Sequence, residues 1–248
     1  MTPIELLTPD EMATADRLTI AGGLGGFHLM QNAGEAVADG AGELVPRGDV
    51  LVLAGPGNNG GDGFAAAALL RRRARGVRVA LLGRERLSGD AARAASAYDG
   101  PLEMLGPETG FSAALVIDAL FGAGLARALS GAAADAVERL NGAGLPVLAV
   151  DLPSGVDGRT GAIQGVAVRA TRTITFFRLK PGHLLLPGRL HCGPTAVAQI
   201  GIPESVLREI RPSAFHNLPP LWRGSLRPPR PDDHKYTRGH AFVVSGPA

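Results

Sequence analysis

A single cysteine, Cys192, among 248 residues excludes an internal disulfide framework and fits a reducing compartment. No arrangement of bases around it suggests an activated thiol. No apolar run approaches the roughly 18 residues that a membrane span needs. The opening stretch MTPIELLTPDEMATADRLTI carries acids where a signal peptide would carry its apolar core. A soluble, cytoplasmic protein without a membrane partner is expected. Charge of either sign is also scarce: 25 Lys and Arg oppose 23 Asp and Glu, for a net +2. That balance is too mild to argue for nucleic acid, even with a pI of about 9.1. The basic cluster Arg71–Arg75 closes a predicted helix, where cations meet the negative end of the dipole. The six histidines show no Cys/His spacing, which excludes a zinc site. His28, His183 and His191 are therefore assigned surface or core roles.

What is present is an alternation. Thr8, Pro9 and Glu11 make a capping box in front of a helix, and a second helix fills the chain to about residue 45. Short β-branched strands then alternate with helices. The strands are expected at 49–55, 77–83, 113–122 and 145–155, with a weaker one at PLEML; helices are expected at 63–76, over GDAARAASAYDG and over RALSGAAADAVERLNGAG. Such alternation predicts βαβ units in a mostly parallel sheet with helices on both faces: a Rossmann-like α/β three-layer αβα sandwich preceded by N-terminal helices. Past residue 155 the segments TRTITFF and GPTAVAQIGIP read as strands that extend one sheet edge. A proline-rich linker is expected at 211–233, followed by an unpaired strand, HAFVVSG, within 234–248. The expected domain is thus residues 1–210, and the tail reads as the start of another domain.

Strand ends carry the candidate chemistry. GPGNNGGDGF (55–64) leads from a strand into a helix, where free N–H groups and the dipole favour an anion, and its glycines let a phosphate approach the backbone. It lacks the Gly-Lys-Ser/Thr ending of a P-loop and the GxGxxG spacing of the dinucleotide fingerprint, which argues against a kinase or phosphatase. Asn58, Asn59 and Asp62 sit where open α/β sheets bind ligands. Asp118 ends the next strong strand, followed by Gly122, Gly124 and Arg127; Asp151 ends the one after, followed by Pro153, Ser154 and Gly155. The two aspartates are 33 residues apart, about one βαβ repeat, so both carboxylates face one crevice. Asn59, Asp118 and Ser154 together suit a hard cation, either a monovalent ion or Mg²⁺.

In this order and at these spacings, GPGNNGGDGF, DALFGAGLAR and VDLPSGVDGRTG resemble the NAD(P)H-hydrate epimerase family, the N-terminal domain of the bifunctional NAD(P)H-hydrate repair enzyme. The resemblance covers about residues 5–205, from LTPDEMATADRLTI to AQIGIP. It implies an isomerase that interconverts the R and S forms of NAD(P)HX, hydrated NADH or NADPH. It implies substrate contacts from Asn58, Asn59, Gly60, Gly61 and Asp62, from Gly122, Ala123, Gly124, Leu125, Ala126, Arg127 and Ala128, and from Asp151. It implies a potassium ion on Asn59, Asp118 and Ser154, and a homo-oligomer. Proton movement at the hydroxyl-bearing carbon calls for a carboxylate, Asp151 first and Asp118 second. HKYTRGHAFVVSGPA looks like the opening of a ribokinase-like dehydratase domain that uses ADP or ATP, making the parent chain bifunctional. A non-catalytic binding module of the same fold is the alternative.

Overall fold

The computed structural model describes residues 4–83, 87–125, 127–226, 228, 230–237 and 239–246. A two-residue strand β1 (Glu5–Leu6) precedes helices α1 (Pro9–Ala21) and α2 (Gly26–Leu44). The capping box forms: Glu11 accepts from the Thr8 N–H at 2.7 Å, and the Glu11 N–H donates to Thr8 Oγ1 at 3.3 Å. There follow β2 (Val50–Ala54), α3 (Asn58–Arg72), β3 (Val77–Leu81), α4 (Gly89–Ser96), β4 (Leu102–Met104), β5 (Leu115–Ala119), α5 (Ala132–Gly142) and β6 (Val147–Val150). Then come β7 (Arg172–Phe176), α6 (Arg189–Cys192), β8 (Thr195–Ala198), α7 (Leu207–Ile210), β9 (Ala214–Phe215) and α8 (Pro219–Trp222).

Seven of these strands form one parallel sheet in the order β4-β3-β2-β5-β6-β7-β8, with the two late strands at one edge as expected. Strands covered on both faces read as continuous apolar runs, and every residue of β2 and β5 is buried. Successive side chains divide between the faces. Val50, Val52, Ala54 and Ile117 join α1–α4 in one core, while Leu51, Leu53 and Val116 meet Val137 and Leu140 of α5 in the other. The chain winds outward from β2 in one direction and from β5 in the other. This reversal opens a crevice at the carboxyl ends of β2 and β5.

The differences from expectation lie at element ends. Helix α3 starts at Asn58, five residues before the expected 63, so most of the glycine stretch is helix. The strands expected at 113–122 and 145–155 are shorter, Leu115–Ala119 and Val147–Val150, because the chain peels away into loops at the crevice. Asp151 (φ 65°) ends β6 and Phe177 (φ 60°) follows β7. Each is the centre of a tight turn closed by an i to i+2 bond: Leu152 N–H to Val150 O at 2.9 Å and Arg178 N–H to Phe176 O at 2.7 Å. Positive-φ turns of this kind are strained, by about 1–3 kcal/mol at a non-glycine residue. Within 211–233, β9 pairs antiparallel with β1, so the first residues of that stretch are docked. Residues 240–246 form no strand, and Phe242, Val243 and Val244 are exposed. Without a neighbouring strand there is no ladder to form.

Candidate active site

A cavity of about 440 Å³ opens at the crevice. One wall is a stripe of α1: Pro9, Met12, Ala13, Asp16 and Ile20, the spacing of a single helix face. The strand ends contribute Asn58, Asn59 and Asp62 after β2, Leu120–Leu125 after β5, Asp151 after β6 and Lys180 after β7.

The glycines divide by purpose. A Cβ on Gly60 would lie 1.8 Å from the Gly55 carbonyl oxygen, and one on Gly61 would meet Met30 Cε at 2.5 Å. These two residues face the fold and let α3 seat against the β2 loop and α2. Neither lines the cavity. The first helical N–H with a backbone acceptor is that of Gly61, bonded to Gly57 O at 3.1 Å. The amides of Asn58 and Asn59 therefore remain open donors at the cavity side. On the other loop, Gly122, Ala123, Gly124 and Leu125 line the cavity. Arg127 and Ala128 are exposed and outside its lining, because the chain has turned toward solvent by that point. Ala126 lies outside the described residues.

Asp151 accepts three hydrogen bonds at the cavity. Its Oδ1 accepts from Lys180 Nζ at 2.7 Å and Thr175 Oγ1 at 2.9 Å, and its Oδ2 accepts from the Ala123 N–H at 2.8 Å. Burial pushes its pKa up, but the Lys180 charge and hydrogen bond, the Ala123 N–H and His183 outweigh that and bring it down to about 2. Lys180 is 1% exposed. Beneath it, His183 accepts the Lys180 N–H at Nδ1 (3.0 Å), which leaves Nε2 to donate to the Asp151 carbonyl at 2.8 Å. Burial, then the Lys180 charge, pushes the His183 pKa down to about 4, so this ring is a neutral brace, as a core role requires.

Asp118 and Ser154 come together, but below the cavity floor and fully buried. Ser154 Oγ donates to Asp118 Oδ1 at 2.6 Å and its N–H to Oδ2 at 2.8 Å; the Leu120 N–H adds a weaker bond at 3.3 Å. Burial pushes Asp118 up to about 6, and the Ser154 and Leu120 bonds only partly offset it. No cation of the protein touches this carboxylate among the described residues. With its amide oxygen and nitrogen assigned to suit both neighbours, Asn59 of α3 donates to the Val150 carbonyl at 3.1 Å and accepts the Gly122 N–H at 3.3 Å. A buried carboxylate with no protein cation beside it, close to the neutral oxygen of Ser154, suits a hard cation. Cys192 is buried, its thiol pushed by burial up to about 12, and is inert.

Three ionisable cavity residues were not singled out in the sequence: Asp16, Asp90 and Lys180. Asp16 lies four residues after Met12 and next to Ala15, both buried in α1, so an acid on an apolar helical face was the available signal. Lys180 follows the strand TRTITFF by only a few residues. Its burial, however, depends on a turn that no sequence pattern announces.

The family described as YjeF-related protein N-terminus matches residues 26–182. The chain is 41% identical over 199 residues to the NAD(P)H-hydrate epimerase of Rhodobacter capsulatus, covering 73% of this chain and 92% of that one. It is 37% identical over 200 residues to the one from Limosilactobacillus fermentum, covering 78% and 96%. To the bifunctional NAD(P)H-hydrate repair enzyme Nnr of Thermofilum pendens it is 40% identical over 232 residues, covering 88% of this chain but 43% of the relative. The chain spans about half the length of the bifunctional relatives it matches. A solved yeast protein, ynu0, shares the fold with a TM-score of 0.68 at 21% identity, over 83% of this chain and 93% of that one.

Proposed function

We propose, from the premise that this chain belongs to the YjeF-related N-terminal family, that it is an NAD(P)H-hydrate epimerase interconverting the R and S forms of hydrated NADH and NADPH. The single observation that carries the reading is the buried Asp151–Lys180 pair at the cavity wall, 2.7 Å apart. A pure binding module has no need to keep a carboxylate and an ammonium desolvated together, since such a pair does not repay its desolvation by itself.

In this reading the open amides of Asn58 and Asn59 bind phosphate oxygens and the Gly122–Leu125 loop cradles the rest of the nucleotide. Asp151 stays ionised under Lys180 and receives a proton at the altered ring. Asn59, Asp118 and Ser154 hold a potassium ion, whose charge would neutralise the buried Asp118 and stiffen the two loops that Asn59 joins. Asp118 then acts as an ion ligand rather than an acid. The epimerase-only relatives align with 73–78% of the chain, whereas bifunctional ones reach 88–98%. That contrast supports reading residues 1–210 as the epimerase domain, 211–233 as a linker and 234–248 as the opening of an ADP- or ATP-dependent dehydratase domain in a longer parent.

The test follows the R and S peaks of NADHX by chromatography, with purified protein in potassium or choline chloride and a protein-free control. Equilibration faster than the control, and faster with potassium, is expected. Equilibration at the spontaneous rate in both salts overturns the assignment.

A further inference from the structure

Inverting a carbon that bears a hydroxyl calls for chemistry on two faces of a ring, and the cavity presents ionisable groups from two walls. Asp151 and Lys180 come from the strand ends. Asp62 stands on α3 beside Asn58 and Asn59, on that same side. Asp16 comes from a separate element, α1, and lines the same cavity. Neither Asp16 nor Asp62 is held by a hydrogen bond or salt bridge from the described residues, unlike Asp151 with its three donors. A carboxyl group half-buried in a ligand cavity and left without protein partners is free to bond to a ligand.

We propose, building on the epimerase reading, that Asp16 is a second catalytic group, the acid that acts from the α1 wall while Asp151 acts from the other. Protonated Asp16 gives its proton to the hydroxyl oxygen as the carbon–oxygen bond breaks. The bonding pair leaves with the oxygen as water, and the lone pair of the adjacent ring nitrogen fills the gap as an iminium. Water then adds to the opposite face, and its surplus proton passes to the Asp151 carboxylate. Asp151 then releases that proton to solvent and Asp16 takes one up, which restores the starting state; the reverse epimerisation passes through the same steps in the opposite order. A base as weak as ionised Asp151 suffices, because the iminium is a strong electrophile.

The surroundings of Asp16 favour its retaining a proton. The charges of Lys180 and Asp151 act on it, it acts on Asp62, and Asp90 of α4 lines the same cavity, while His183 is neutral. Burial first, and the Asp151 charge after it, raise Asp16 to about 6 against the pull of Lys180. That value suits an acid working near neutral pH. Asp62 is raised well above the usual carboxylate range by burial and by Asp151 and Asp16, against the pull of Lys180.

The experiment measures epimerisation across pH for the full chain and for Asp16→Asn and Asp16→Glu, subtracting the spontaneous rate. The wild type should lose kcat as pH rises through about 6. Asp16→Asn should lower kcat at the acid plateau by about 100-fold, the scale of a lost general acid, abolish that limb and leave KM within about threefold. Asp16→Glu should restore the limb. In water enriched in heavy oxygen, each inverted molecule should carry the label. Asp16→Asn at wild-type rate, a slower variant that keeps the limb, or inverted product retaining its original oxygen overturns this inference while the epimerase reading stands. A wild type no faster than the spontaneous reaction overturns both.

Discussion

Asp151 and Lys180 set the pH behaviour of the site. Folding lowers the pKa of Asp151 from 3.8 to about 2, so its stabilisation is present above the unfolded value and is lost as pH falls through the folded one. Keeping Asp151 ionised rather than protonated thus contributes about 2 kcal/mol that disappears between about pH 4 and about pH 2. Urea unfolding across that window should show the slope, and Asp151→Asn should flatten it. The same variant should reduce epimerase turnover at least about 100-fold by removing the proton acceptor, as read by chromatography. Lys180→Met should be the more damaging change to stability, by about 3 kcal/mol, because it strands a buried carboxylate. The double variant Asp151→Leu/Lys180→Met should recover most of that loss, a non-additivity that a urea double-mutant cycle measures.

At the scale of elements, the decisive feature is how closely α3 approaches its neighbours. Gly34 of α2 would place a Cβ 2.4 Å from Ala65 Cβ, and Gly60 would place one 1.8 Å from the Gly55 carbonyl oxygen. The helix can start at Asn58 only because these positions carry no side chain. Gly60→Ala should therefore cost about 3 kcal/mol or more through backbone displacement. Gly57→Ala, with nothing within 4 Å of its Cβ, should stay within about 0.5 kcal/mol in the same urea assay. The glycines were legible in the sequence, and their association with a strand-to-helix turn was read correctly. Their division into ligand-facing and packing positions was not, since it depends on where α2 crosses α3. The loops holding Asn59, Asp118 and Ser154 form a second unit. Replacing potassium by choline should lower the thermal midpoint of the wild type by about 2 °C or more and leave Asp118→Asn unmoved, which differential scanning calorimetry reads directly.

The whole molecule is organised by the reversal of winding between β2 and β5. That reversal brings four strand ends and an N-terminal helix to one cavity from positions spread over residues 9–180. Arg178, 2% exposed, ties the β7 end to Glu5 at 3.1 Å and to Glu204 at 3.2 Å, linking the first and last parts of the fold behind the site. The β1–β9 pair adds a tie between Glu5–Leu6 and Ala214–Phe215. A chain ending at residue 218 should keep the epimerase rate within about twofold. One ending at 210 should lose about 1 kcal/mol through the unpaired β1, a typical net worth for lost hydrogen bonds. Urea unfolding and the chromatographic assay check the two.

By themselves, the residues determined the alternation of strand and helix, the parallel sheet, the capping box of α1 and the placing of Asn59, Asp118, Asp151 and Ser154 at strand ends. Each of these follows from local periodicity or from short turn signals, which a linear reading contains. Only the tertiary structure decided that Lys180 pairs with Asp151, that Asp118 and Ser154 are fully buried outside the cavity lining, that Arg127 is exposed outside it and that Asp16 lines it. Those outcomes depend on burial and on contacts between residues far apart in the chain. Desolvation and charge at such contacts act through distances in space, which the order of residues does not specify.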